Sequence, residues 1–222
     1  MNKILFVLTN HSDLGNTGEK TGFYLSELTH PWEVLTSAGY EVDFVSPNGG
    51  LCPIDGYDLN DPINKKFVES SDFAKTKNTK NPSEINPKDY VAIHFVGGHG
   101  TMWDFPDNIS LQNITSQIYE NGGVVSAVCH GPSGLVNVKL SNGQYLVSGK
   151  KVNSFTNEEE IERKLDNIVP FLLESKLIER GGIFEKSANW QEHITVDQRL
   201  ITGQNPASAK KLGEEVLKII KN

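Results

Sequence analysis

The chain has 222 residues, 37% of them apolar and 22% charged, which is ordinary for a soluble globular protein and enough for one sizeable core. Lys and Arg number 21 against 28 Asp and Glu, a net charge of −7 with no basic stripe, so nucleic acid and membrane are not expected partners. The two cysteines, Cys52 and Cys129, lie far apart in unlike surroundings; this argues against a disulfide framework or a cysteine-rich zinc site and for a reducing, cytoplasmic compartment.

Residues 3–8 read as a first strand, with no cleavage signal after the short apolar run and no segment long enough to span a bilayer. A polar, glycine-containing loop, 10–21, leads to a helix over 22–38 that ends at Gly39, where a C-cap is expected. A second strand follows at 41–46. Residues 48–86 are rich in Asp, Asn, Pro, Gly and Lys with sparse apolar positions, so they read as an insertion or lid within a single domain covering 1–222. Further strands are predicted at 90–96, 123–128, about 151–154 and 200–202. Helices are predicted at 110–121, 131–136, 158–165, 170–176 and 207–220, the last with Leu212, Val216, Leu217 and Ile220 on one stripe. Strand-length apolar runs alternating with amphipathic helices predict an α/β, Rossmann-like fold, a mostly parallel sheet with helices on both faces.

The chemistry gathers at strand ends, where ligands bind in such sheets. Val124 to Val128 run straight into Cys129-His130-Gly131, the pattern of a nucleophile elbow that lifts a thiol out of the sheet. A helix beginning there would favour its thiolate; a buried, inert cysteine is the alternative. Gly97-Gly98-His99-Gly100 follows another strand and suits an oxyanion hole completed by the His130 amide, or merely a tight turn. Glu27 lies among Phe23, Leu28, Trp32, Val34 and Leu35; turned to the strand ends it would carry a raised pKa and move protons, and turned outward it would be an ordinary helix glutamate. One of Glu158, Glu159 and Glu160 could orient His130, or the three could simply start a solvated helix. His94 reads as a sheet-packing histidine and His11 as a surface one. No helical spacing pairs the six histidines as metal ligands. Trp103, Phe105 and Trp190 are candidate pocket walls.

Ala127-Val128-Cys129-His130-Gly131-Pro132, Gly98-His99-Gly100-Thr101, Glu27 with His30-Pro31, and Thr202-Gly203-Gln204-Asn205-Pro206-Ala207-Ser208-Ala209 together resemble the ThiJ/PfpI superfamily, a class I glutamine-amidotransferase-like group. The branch it is most similar to is that of the heat-shock-protein-31-like glyoxalase III enzymes and chaperones. The resemblance implies a flavodoxin-like fold, usually dimeric. It implies Cys129 as nucleophile, His130 as its neighbour, Glu27 as the acid against the thiol, and Glu160 as the acid behind the histidine. The Gly98 and His130 amides would be the oxyanion donors; His99 on the same loop, and Trp103 as a wall, are the further substrate-binding candidates. It implies a small dicarbonyl substrate, methylglyoxal converted to D-lactate without glutathione or any other cofactor, and no metal, since the two-histidine cluster of larger relatives has no counterpart in this sequence. Amide, peptide or deglycase hydrolysis is the rival enzymatic reading; it requires His130 to face the adjacent thiol, which a tight turn does not favour. A holdase for unfolded proteins and an oxidation sensor at Cys129 are the non-enzymatic ones.

Overall fold

Ile4, Phe6 and Leu8 pack into one apolar cluster and Leu5 and Val7 into another, all fully buried, as expected of a strand covered on both faces. The structure, a computed structural model, describes residues 2–221. This first strand, β1 (Lys3–Val7), is followed by a short β2 (Phe23–Tyr24), the helix α1 (Leu25–Ser37), β3 (Glu41–Val45) and β4 (Ile54–Asp55). Two short helices, α2 (Pro62–Val68) and α3 (Ser71–Thr76), precede β5 (Tyr90–Phe95), α4 (Thr101–Asp104), α5 (Ile109–Glu120) and β6 (Val124–Val128). The remainder comprises β7 (Lys151–Val152), α6 (Asn157–Glu162), α7 (Leu173–Glu179), β8 (Ile183–Phe184), β9 (Ile194–Asp197), β10 (Leu200–Gly203) and α8 (Ala209–Ile220).

The main sheet has the order β3-β1-β5-β6-β10-β9 and is parallel except for the edge strand β9. The order reverses at β1, so the chain leaves β1 and β5 on opposite sides of a crevice at their carboxyl ends, where ligands sit in doubly wound folds. Helices cover both faces, as the alternation predicts. Gly39 and Gly122 follow the C-caps of α1 and α5 at φ 91°, the left-handed conformation that lets the chain turn off a helix.

Several expectations are corrected. The strand predicted near 151–154 is β7, which pairs only with β8 in a separate two-stranded sheet, while the edge strand β9 had no clear signal. Residues 131–136 form a tight 3-10 helix (Gly131–Leu135), because Pro132 in the first turn has no N–H and the Gly131 Cα abuts the Phe95 backbone. The first helix begins at Leu25, after β2 has used Phe23 and Tyr24 to pair with β4. The segment 48–86 is better packed than its composition suggests. Asp61 caps α2 through its side chain, and Phe67 is wholly buried against Trp32, Phe44 and Phe73; that burial is worth roughly 2–3 kcal/mol. Three of its apolar side chains, Leu51, Tyr57 and Leu59, stay exposed.

Candidate active site

Cys129 follows the last residue of β6 at φ 59°, a left-handed conformation costly for any residue with a side chain. Two backbone bonds hold it there, from its N–H to the Gly203 carbonyl at 2.8 Å and to its own carbonyl from the Phe155 N–H at 2.8 Å. The strain aims the side chain into a cleft of about 270 Å3 at the carboxyl ends of the strands, lined by Tyr24, Glu27, Asp55, Gly98, His99, Cys129, His130, Phe155, Arg163 and Trp190 among others. A larger hollow near the opposite ends of β5 and β6, bounded by Pro87, Tyr90, Gly123, Arg199 and Ile219, is lined by no carboxylate, thiol or imidazole among the described residues.

Glu27 sits in the first turn of α1 and is fully buried, so its inward orientation is the one realised. Neither carboxylate oxygen has a hydrogen-bond partner in good geometry, and burial pushes its pKa up to about 8, with the Cys129 thiol and the Gly97 backbone only partly offsetting it. Glycine at 97 is required: a Cβ there would overlap the Glu27 carboxylate and the Val128 carbonyl. Pro31, inside α1, has no N–H to give the Glu27 carbonyl four residues earlier, and His94 Nε2 approaches that carbonyl at 3.3 Å. Since a carbonyl only accepts, the Nε2–H donates and Nδ1 accepts from the Ser126 hydroxyl at 3.0 Å. Burial pushes His94 down to about 4, which keeps this neutral tautomer through the physiological range. His94→Phe leaves the Glu27 carbonyl unpaired and the Ser126 hydroxyl with only the Ile93 carbonyl, at 3.3 Å, with an expected loss of about 2 kcal/mol in urea unfolding; an unchanged midpoint would show that the contact holds nothing in place.

His130 faces the thiol after all, with Nδ1 3.4 Å from Cys129 Sγ, because the left-handed turn at Cys129 brings the following ring back over the sulfur. Its Nε2 meets Glu160 at 2.7 Å, and His99 Nε2 meets the other oxygen of the same carboxylate at 2.8 Å. Burial would raise Glu160, but the two histidines hold it well below the usual carboxylate range. An ionised carboxylate only accepts, so both imidazoles donate from Nε2, and the neutral form of His130 turns a bare Nδ1 to the thiol. Of the three adjacent glutamates, Glu159 instead completes the capping box with Thr156 and binds Gln204 and Asn205, and Glu158 points to Lys186. His99, His130 and Glu160 place three ligand-type atoms within 4.8 Å of one another, a cluster that sequence spacing does not show; each is already paired within the cluster.

The thiol itself departs from expectation. Burial and the adjacent Glu27 carboxylate push Cys129 up, and the five-residue 3-10 helix after it offers little dipole to counter them. Two acids in contact cannot both ionise, so Cys129 and Glu27 titrate as a pair; with Glu27 protonated, its charge no longer opposes the thiolate. The Gly98 and His130 amides make no hydrogen bond among the described residues. Trp103 is away from the cleft, stacked on His11 at 4.9 Å, and Phe105 is core against Phe95. Trp190 does line the cleft, as do Tyr24, Asp55, Phe155 and Arg163, for which the sequence carried no local signal.

Fold and site together define a doubly wound α/β protein with a cysteine elbow, an apposed buried acid and a histidine-carboxylate relay. The chain belongs to the DJ-1/PfpI family, whose model matches residues 20–219. It is 36% identical to the glutathione-independent glyoxalase HSP31 of Saccharomyces cerevisiae, over 99% of this chain and 98% of that protein. Among solved structures it is similar to the Rapid Encystment Protein 24 kDa of Francisella tularensis (40% identity, all of both chains, TM-score 0.96). Glyoxalase III of Candida albicans is also similar (32% identity, 98% of this chain and 96% of that one, TM-score 0.87). No helix among the described residues is long and apolar enough to cross a membrane.

Proposed function

We propose that the protein is a glutathione-independent glyoxalase that converts methylglyoxal to D-lactate. The observation that carries this reading is the buried Glu27 carboxyl beside the Cys129 thiol, with His130 Nδ1 on the sulfur; relatives alike over nearly their full length are named as glyoxalases. His130 takes the thiol proton and becomes imidazolium against Glu160. The thiolate adds to the aldehyde carbon, the Gly98 and His130 amides hold the developing oxyanion, and Glu27–H protonates it to a hemithioacetal. Glu27 is then a carboxylate in a dry site, a far stronger base than one in water. It removes the proton from the former aldehyde carbon, giving an enediolate. The remaining hydroxyl proton passes to the adjacent enediolate oxygen and Glu27 returns its proton to the neighbouring carbon, leaving a lactyl thioester on Cys129. Water attacks that thioester and gives a proton to Glu27, the departing thiolate recovers its proton from His130, and lactic acid leaves. One carbon is oxidised as its neighbour is reduced, so no redox cofactor enters the balance.

Purified protein given methylglyoxal alone is expected to form D-lactate, and Cys129→Ala to form none. Lactate formation that survives this variant would refute the covalent route. The Cys129–His130–Glu160 relay also favours a second reading, thiol-dependent amide or peptide hydrolysis. A panel of small amides assayed beside the glyoxals separates the two. Suppression of aggregation that persists in Cys129→Ala would assign a holdase role to surface outside the cleft, where Leu51, Tyr57 and Leu59 are exposed.

A further inference from the structure

Methylglyoxal has five heavy atoms, whereas the cleft has room for about nine water molecules at the volume each occupies in the liquid. What fills the remainder is set by the walls. Tyr24, Phe155, Trp190 and Pro206 are aromatic or apolar, and two charged side chains, Asp55 and Arg163, complete the lining. They differ in their hydrogen bonding. Asp55 accepts from the Gly56 N–H at 2.7 Å and from the Thr21 hydroxyl at 3.2 Å. Arg163 makes no side-chain hydrogen bond, and among the described residues no carboxylate lies within ion-pair distance of it. The neighbouring acids are taken: Glu162 by Asn189 and Trp190, Glu158 by Lys186, Glu160 by the two histidines. The Arg163 guanidinium, with no carboxylate partner among the described residues, sets a positive charge on the cleft wall, while Asp55, bonded only to neutral donors, keeps its negative charge on the same lining.

We propose that Arg163 makes the cleft selective for a substrate bearing a carboxylate, namely an α-oxoaldehyde with a short carboxylate chain on its ketone side. The aldehyde end lies at Cys129, the chain runs along the aromatic wall, and the carboxylate meets the two parallel N–H groups of the guanidinium fork. The substrate assignment rests on the glyoxalase reading; the anion subsite does not.

The test uses two thiol reagents of nearly equal size and different charge. Alkylation of Cys129 by iodoacetate and by iodoacetamide is timed by mass spectrometry in the wild type, Arg163→Lys, Arg163→Ala and Arg163→Glu, and kcat/KM is measured for dioxovalerate and for methylglyoxal. The iodoacetate-to-iodoacetamide rate ratio is expected to fall about tenfold in Arg163→Glu, less in Arg163→Ala, and to be largely kept in Arg163→Lys, with the wild-type ratio declining as salt rises. The dioxovalerate-to-methylglyoxal ratio of kcat/KM should fall in the same order. An alkylation ratio unchanged within twofold across the variants overturns the proposal. A ratio that falls in a protein that turns over neither oxoaldehyde keeps the anion subsite and refutes the glyoxalase reading instead. Arg163 is exposed at the C-cap of α6, so the variants are expected to fold.

Discussion

Glu27→Gln is expected to lower kcat for methylglyoxal by about 10^2 to 10^4, the range that a positioned acid–base group contributes, while Cys129 remains alkylatable. The amide is nearly isosteric, so the cleft keeps its shape; what disappears is the group that gives a proton to the hemithioacetal oxygen and then takes one from carbon. The thiol should respond in the opposite direction from activity. A neutral side chain removes the carboxylate charge that opposes ionisation of Cys129, so the midpoint of iodoacetamide reactivity against pH should move down in the variant. Stability gives an independent readout. Glu27 is raised from 4.5 to about 8 by burial, so the folded protein binds a proton that the unfolded chain has already lost between those values. The stability from the protonated carboxyl is therefore fully present below about pH 4.5 and is lost as pH rises through about 8, with a slope on the order of 1 kcal/mol per pH unit. Chemical denaturation from pH 5 to 9 should show this decline in the wild type and a flatter curve in Glu27→Gln. Equal slopes would mean that Glu27 is ionised throughout, and the proton inventory proposed for the reaction would fail with it.

How much of this was legible before the structure depends on the range of the interactions involved. The sheet was legible because β1, β5 and β6 are buried almost throughout on both faces, and a run such as Val124 to Val128 has one plausible environment. Cys129 was legible because the strand ends on it. The short strands were not: β2 and β4 are two residues each and exist because they pair with each other across about 30 positions of sequence. Trp103 was misplaced and Arg163 overlooked for the same reason, since a cleft wall is assembled from segments remote in sequence and leaves no periodic trace. The environment of Glu27 shows the limit from another side. Its burial depends on Gly97 having no Cβ and on Pro31 releasing a carbonyl to His94, two local features whose joint effect appears only when α1 lies over the ends of β5 and β6. The facing of His130 toward the thiol turned on a single dihedral angle at Cys129, which no sequence pattern encodes.

Glu160→Gln should be nearly as damaging as losing the acid against the thiol, and for a reason of tautomers more than of charge. The carboxylate accepts from two Nε2–H groups, at 2.7 Å from His130 and 2.8 Å from His99. A glutamine has one oxygen and one NH2, so it satisfies one imidazole by accepting and forces the other to accept from it. If its NH2 faces His130, Nε2 must lose its hydrogen, Nδ1 gains it, and the ring donates toward Cys129 where it should receive the thiol proton. The corresponding carboxylate-to-amide change in serine protease triads costs about 10^4 in kcat, and a loss on the order of 10^3 is expected here, where Glu27 still handles the later protons. The same logic makes the double variant informative. With His99→Ala added, nothing on that side requires an acceptor, and the introduced side-chain amide is free to turn its oxygen to the His130 Nε2–H. His99→Ala together with Glu160→Gln is therefore expected to recover about tenfold over Glu160→Gln alone, although the neutral amide still cannot support the imidazolium as the carboxylate does. If the two substitutions instead compound, the loss reflects missing charge or packing, and His130 is not held as a base through the hydrogen bond it gives to Glu160.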